Sequence, residues 1–224
     1  MSEQSEYEGK KQSDELGFER LVFFSDAVMA IAITLMALEI HVEELEPELV
    51  SEQIGPALRA LAPRIFVYML SFLVVGIYWV VHHRLFRLVR RYDIPLLWLN
   101  LIFLMSVAFL PVATNALGTY PSVELVTAFY AISVALLGLT EFALWFYAVR
   151  KGYTVELSER HSHKYFGARI LVPPLVFLFS LLLFPIGARF MQVSWLAIIP
   201  ILYLLRFVFP REHAERSDYA RGET

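Results

Sequence analysis

Six blocks of apolar residues fill most of this chain, each close to the roughly 20 residues that a helix needs to cross the hydrocarbon core of a bilayer. In lipid every backbone N–H and C=O must be satisfied within the fold, so blocks of this length admit little besides a helical bundle. They run from about Gly17 to Ile40, Arg64 to His82, Ile94 to Leu117, Val123 to Val149, Ile170 to Ile186 and Phe190 to Phe209. The predicted class is all-α, a polytopic membrane protein with six transmembrane helices. An acidic tail over residues 1–16 precedes the membrane domain at 17–209, and a second tail follows over 210–224. The longest polar connections, His41–Pro63 and Arg150–Arg169, each have room for one short amphipathic helix. The first block is read as a span and not as a cleaved signal. It lies behind an acidic tail, exceeds an h-region in length and is followed by no A-x-A site.

Composition closes off other classes. Only 18% of the 224 residues are charged, against about a quarter in soluble domains. The net charge of −3 gives no basic footprint for a nucleic acid. The chain has no Cys, which removes disulfides, thiolate metal sites and redox motifs. Neither G-x-S-x-G nor a Walker A or Rossmann run is present. Val74, Gly76 and Tyr78 superficially suggest a selectivity-filter loop, but they sit in an unbroken apolar helix whose carbonyls are already used. No cofactor and no metal site is expected.

Charge also sets the predicted orientation. With six spans, the two tails and the second and fourth loops share a side. That side holds all of the 19 Lys and Arg residues except Arg59, Arg64 and Arg189. Such a bias places both termini in the cytoplasm.

Polar residues within a span are costly and mark packing or function. The first helix reads Arg20 through Phe24, Ser25 and Asp26 to Glu39. On a wheel of about 100° per residue, Phe24, Ala27, Val28, Ile31, Thr34, Leu35 and Leu38 share one face. Asp26, Met29, Ile33 and Ile40 lie on the other side, and Ser25 lies between. Asp26 either lines an ion or proton pathway or anchors the helix to its neighbours, with Trp79, His82, His83 and Asn100 as candidate partners. Arg20 is six residues away, which disfavours a direct pair on one straight helix. His82 and His83 diverge around their helix and cannot readily close on one ion, and no ligand-spaced His or carboxylate accompanies them. The simple reading is an interfacial His hydrogen-bonded to a neighbouring helix. Glu141, in the fourth span, has Thr140, Trp145 and Tyr147 as polar neighbours and is read as a buried, hydrogen-bonded Glu or a transport carboxylate. Pro111, Pro173, Pro174, Pro185 and Pro200 are expected to kink helices.

The run Arg20-x-x-x-Phe24-Ser25-Asp26, followed by A-I-A-I-T-L, resembles the signature of the transmembrane protein 175 family, the lysosomal potassium channels. The stretch from Tyr78-Trp79 through His82-His83 to Phe86, then Leu97-Trp-Leu-Asn100 and Phe109-Leu-Pro111, resembles its second and third helices. The likeness is close over about residues 17–115 and rests on span count beyond. Animal members carry two six-helix repeats, and this chain has one, the form seen in bacteria and archaea. The resemblance implies a potassium channel of the cell membrane, a homotetramer in the lipid bilayer with potassium as the permeant ion. The first helices would surround the pore, and Phe24, Ser25 and Asp26 would pack that helix against others. It implies an aliphatic constriction at Ile31, Leu35 and Leu38, with Thr34 adding a hydroxyl, in place of a carbonyl filter. The competing class is a proton- or ion-coupled secondary transporter that uses Asp26, Glu141 and a His as relay. Paired repeats and broken helices, the usual transporter marks, are not found in the sequence.

Overall fold

The computed structural model describes residues 3–42, 46, 48, 50–155 and 160–208, with side chains placed outside 3–15 and 160–162. The tail beyond residue 208 lies outside the described residues. The chain order is α1 Glu3–Leu38, α2 Val50–Ala60, α3 Ala62–Leu88, α4 Ile94–Thr119, α5 Glu124–Arg150 and α6 Arg160–Ser180. A 3-10 turn at Leu181–Leu183 leads to α7 Ala188–Ser194, a second at Trp195–Ala197 leads to α8 Ile198–Val208. Six segments are long and apolar enough to cross a membrane, and the protein is a multi-pass membrane protein.

The helix ends depart from the sequence expectation in instructive ways. The second span continues to Leu88, because the buried Leu85 and Phe86 keep it packed past the His pair. The first polar connection does hold a short helix, α2, which buries no side chain. In the second connection the polar residues from Arg160 onward simply lengthen α6 toward its N-terminus. The last span is not one helix but α7 and α8 joined by a 3-10 turn. Helical structure runs through Pro111 and through Pro173–Pro174, and Pro200 falls in the first turn of α8, where little of the bonding ladder is lost. The chain turns at Pro185, just before Gly187, whose φ of 131° suits only glycine.

At the centre are α4 and α5. Half of the α4 span is buried and 56% of the α5 span, against 22% for α1 and 11% for the last span. Lipid offers apolar side chains as good a solvent as a protein interior does, so close packing and hydrogen bonds must hold the bundle. The buried faces are accordingly rich in small residues: Ser106, Ala113, Thr114 and Gly118 on α4, and Ala131, Ser133, Ala135 and Gly138 on α5. A Cβ at Gly138 would collide with the Tyr78 hydroxyl and the Pro174 ring, so this glycine sets how closely α3 and α6 approach α5. Cross-helix hydrogen bonds add to the packing. Ser71 and Tyr130 join α3 to α5 at 3.0 Å, and Trp195 donates to Ser180 Oγ at 3.1 Å.

One end of the bundle is closed by a clasp between the α3–α4 and α5–α6 connections. Val89 and Thr154 form an antiparallel bridge; Arg90 N–H donates to the Tyr153 carbonyl at 2.7 Å and Val155 N–H to that of Leu88 at 2.8 Å. Asp93 caps α4 by accepting from Leu96 N–H at 3.0 Å, and its other oxygen accepts from the hydroxyls of Tyr147 at 2.7 Å and Tyr153 at 3.0 Å. Partial desolvation alone would raise the Asp93 pKa. The bonds from Tyr147, Leu96 and Tyr153, with the Lys151 charge, outweigh it, and the net shift is downward from 3.8. A depressed carboxylate adds stability above its unfolded pKa and loses it as pH falls through the folded value. The clasp should therefore hold at neutral pH and loosen only well into the acid range. Asp93→Ala should cost about 1–2 kcal/mol, a lost cap. In that variant at neutral pH the amides of Arg90 and Val155 should exchange hydrogen faster than in the wild type. Unchanged exchange would show that the carboxylate does not hold the clasp.

Candidate functional site

The first helix presents two faces. Ser25, Met29, Ala32 and Met36 are buried at spacings of four, three and four, the stripe by which α1 packs on α3 and α4. On the other side Ile31 is 57% exposed, Leu35 44% and Leu38 75%, and Thr34 is exposed as well. Most residues of the Ile31 face on the wheel are left uncovered by the rest of the chain; Val28 at its margin packs on the core, and the uncovered side extends to Phe23, Ala30 and Ala37. Thr34 donates its hydroxyl proton to the Ile31 carbonyl at 2.8 Å. That bond uses the hydroxyl's only hydrogen and leaves its oxygen an acceptor on the uncovered face.

The motif residues divide between two neighbours. Ser25 Oγ donates to Leu21 O at 2.9 Å and accepts from Asn100 Nδ2 of α4 at 3.0 Å. Asp26 Oδ1 accepts from Trp79 Nε1 of α3 at 2.8 Å. Adjacent residues on a helix point about 100° apart, and this is why consecutive side chains reach two different helices. The structure gives Asp26 the partner Trp79 and leaves the other candidates elsewhere. Asn100 serves Ser25 instead, and Arg20 is exposed.

Phe24 is 51% exposed within the subunit and falls on the same side as Ile31. Two sequence expectations need correction. His82 is not an interfacial His hydrogen-bonded to a neighbour. It is buried, stacked on Phe103 at 4.7 Å and set against the edge of Phe86 at 4.7 Å. His83 is exposed and reaches the network only by stacking on Trp79 at 5.8 Å. Nor do the polar neighbours of Glu141 bond to it. Thr140 donates to the Leu136 and Leu137 carbonyls, Tyr147 to Asp93, and the Trp145 ring stacks on His163. Among the described residues no group of three or more His, Asp and Glu could hold a metal ion.

Sequence reasoning missed two features. Asp93 followed by Ile-Pro is a helix-start signal that could have been read. The approach of His82 to Glu141 depends on the register of α3 against α5, for which the sequence carries no local signal.

The bond of Asn100 to Ser25 is fully buried, and Asn100→Leu should cost about 1–3 kcal/mol by leaving the serine oxygen without its donor. Trp79→Phe should also destabilise, because it takes from the Asp26 carboxylate the indole donor it has inside the span. Thermal denaturation in detergent would check both losses; an unchanged midpoint in either variant would mean that its bond does not hold α1.

Residues 20–111 match the family described as endosomal/lysosomal potassium channel TMEM175. A potassium channel of Streptomyces collinus is 38% identical over 143 residues, which are 60% of this chain and 66% of that protein. The human endosomal/lysosomal proton channel TMEM175 is 35% identical over 131 residues, 58% of this chain and 25% of that one. The chain thus spans just under two thirds of the bacterial relative and a quarter of the human one. The crystal structure of a lysosomal potassium-selective channel TMEM175 homolog from Chamaesiphon minutus superposes with a TM-score of 0.72 at 27% identity, covering 84% of this chain and 97% of that one. The signature on α1, the helices that receive it and the six-span architecture all agree with these likenesses, and over residues 20–111 the chain matches the TMEM175 family.

Proposed function

We propose that the chain is one subunit of a potassium-preferring cation channel in the cell membrane, with both termini in the cytoplasm. In this reading four copies assemble as a homotetramer and turn the Ile31 face of α1 toward a common axis. The observation that carries the reading is the uncovered stripe of Ile31, Thr34, Leu35 and Leu38 on a helix whose opposite face is fixed inside the subunit. Bacterial relatives named as potassium channels support the permeant ion, and a family of channels supports a pore over an embedded enzyme. A coupled transporter would use Asp26, Glu141 and a His as relay, and one oxygen of Asp26 already accepts from the Trp79 indole.

Rings of Ile and Leu give a cation no ligands, so a narrow ring of them closes the path by excluding water. Opening requires α1 to tilt or rotate and widen the ring. Preference for potassium follows from partial dehydration, which costs potassium less than sodium, and the outward oxygen of Thr34 replaces one lost water ligand.

The test is potassium flux from liposomes that contain the purified chain, with sodium in parallel and Ile31→Asn alongside. The wild type should pass potassium in preference to sodium. The variant should wet the constriction, raise flux severalfold and bring the two ions toward equality. Unchanged conductance and preference in Ile31→Asn would take Ile31 out of the pore. A flux that saturates and needs a counter-ion gradient would overturn the channel in favour of the transporter.

A further inference from the structure

A second polar cluster lies inside the bundle, away from the α1 stripe. Tyr78 and His82 are four residues apart on α3 and share a face, as do Gly138 and Glu141 on α5. The two faces meet. The Tyr78 hydroxyl fills the space that a Cβ on Gly138 would need, and His82 Nδ1 lies 4.0 Å from Glu141 Oε1. Five polar atoms here are buried without a hydrogen-bond partner: Tyr78 Oη, both His82 ring nitrogens and both Glu141 oxygens. Fully buried polar groups are seldom left in this state.

Among the described residues no cation is paired with the carboxyl. Over Ile94–Thr119 α4 carries no titratable side chain, nor does α6 from Ile170 to Ser180. Earlier on α6 Lys164 and Arg169 are exposed, Arg169 lies over the Tyr165 ring, and His163 stacks on Trp145. The other titratable groups nearby on α3, α5 and α1 are exposed or engaged. His83 and Arg84 are exposed, Tyr130 bonds Ser71, Tyr147 bonds Asp93, and Asp26 accepts from Trp79. An ionised Glu141 would have only the uncharged Tyr78 hydroxyl and the His82 ring within its cluster and no fixed cation, a costly arrangement in an apolar interior.

One proton gives four of these five atoms a partner and leaves only His82 Nε2 without one. A neutral Glu141 carboxyl becomes a donor toward the lone pair of His82 Nδ1, and its carbonyl oxygen becomes the acceptor for the Tyr78 hydroxyl. At 4.0 Å the first contact is too long for a direct hydrogen bond; a turn of the carboxyl or one bridging water completes it. We propose that Tyr78, His82 and Glu141 form a proton-binding site inside each subunit, with the proton on the Glu141 carboxyl and shared toward His82. The site is distinct from the α1 face. Tyr78 adjoins Trp79, the donor to Asp26, so the site and the seat of α1 share one turn of α3.

Infrared spectroscopy of the full chain in lipid nanodiscs tests this directly, at a pH of about 7.5 where carboxyls with ordinary pKa values near 4 are ionised. The wild type should show a carboxylic-acid C=O band that moves in deuterium oxide, is lost in Glu141→Gln and shifts in His82→Gln. An identical acid region in wild type and Glu141→Gln would overturn the proposal, and an unshifted band in His82→Gln would overturn the sharing with His82. Should Glu141→Gln not fold, wild-type protein labelled with carbon-13 glutamate carries the same test: no isotope-shifted acid band overturns the site. The readout is the carboxyl itself, so its outcome is separable from whether the chain conducts potassium.

Discussion

Two hydrogen bonds made by neighbouring residues decide how the first helix sits. Ser25 is tied to Asn100 on α4 and Asp26 to Trp79 on α3. A single bond would leave a helix free to roll about its axis, whereas two bonds about 100° apart fix its rotation. The fixed rotation buries Met29, Ala32 and Met36 and leaves Ile31, Leu35 and Leu38 uncovered. Everything proposed for the uncovered face depends on this setting. In lipid it matters more than it would in water, because apolar surface alone gives the helix little reason to choose one face over another.

The central pair α4 and α5 supplies the rigid counterpart. Small side chains bring these helices close, and α5 extends the contact to α6 through Gly138 and Pro174. At one end the clasp of Val89, Thr154 and Asp93 joins two connections that would otherwise be independent. The peripheral elements, α1 and the last span, bury far less of themselves. The bundle thus combines a packed centre with one outer helix held by discrete polar contacts.

Much of this was legible in the sequence. The spans were readable because a bilayer imposes a length that few other folds demand, and the α1 stripe because the helical period sorts residues by face without any tertiary information. Asp26 was legible as a residue in need of a partner, since a carboxylate in a span must be explained. Which partner it finds was not, because Trp79, His82, His83 and Asn100 were all within plausible reach and only the packing of α3 and α4 chooses among them. Phe24, one residue before Ser25, is turned toward the uncovered side of α1. Glu141 was misread for a different reason. Its sequence neighbours are polar, but on a helix adjacent residues look in other directions, and the group that faces it comes from a helix 59 residues earlier in the chain.

The tie at Ser25 and Asp26 is also a fulcrum. Both bonds lie at nearly one height on α1, and the uncovered stripe extends from there toward Leu38, twelve residues or about 18 Å along the axis. A tilt of about 10° about that point carries Leu38 sideways by about 3 Å but Ile31 by only about 1 Å, given a rise of 1.5 Å per residue. A swing about this point would move the far end of the stripe most, and in the proposed assembly the rings along it would part by unequal amounts, the Leu38 ring first. The buried Met36, which accepts from Thr114, is the contact that such a swing must release.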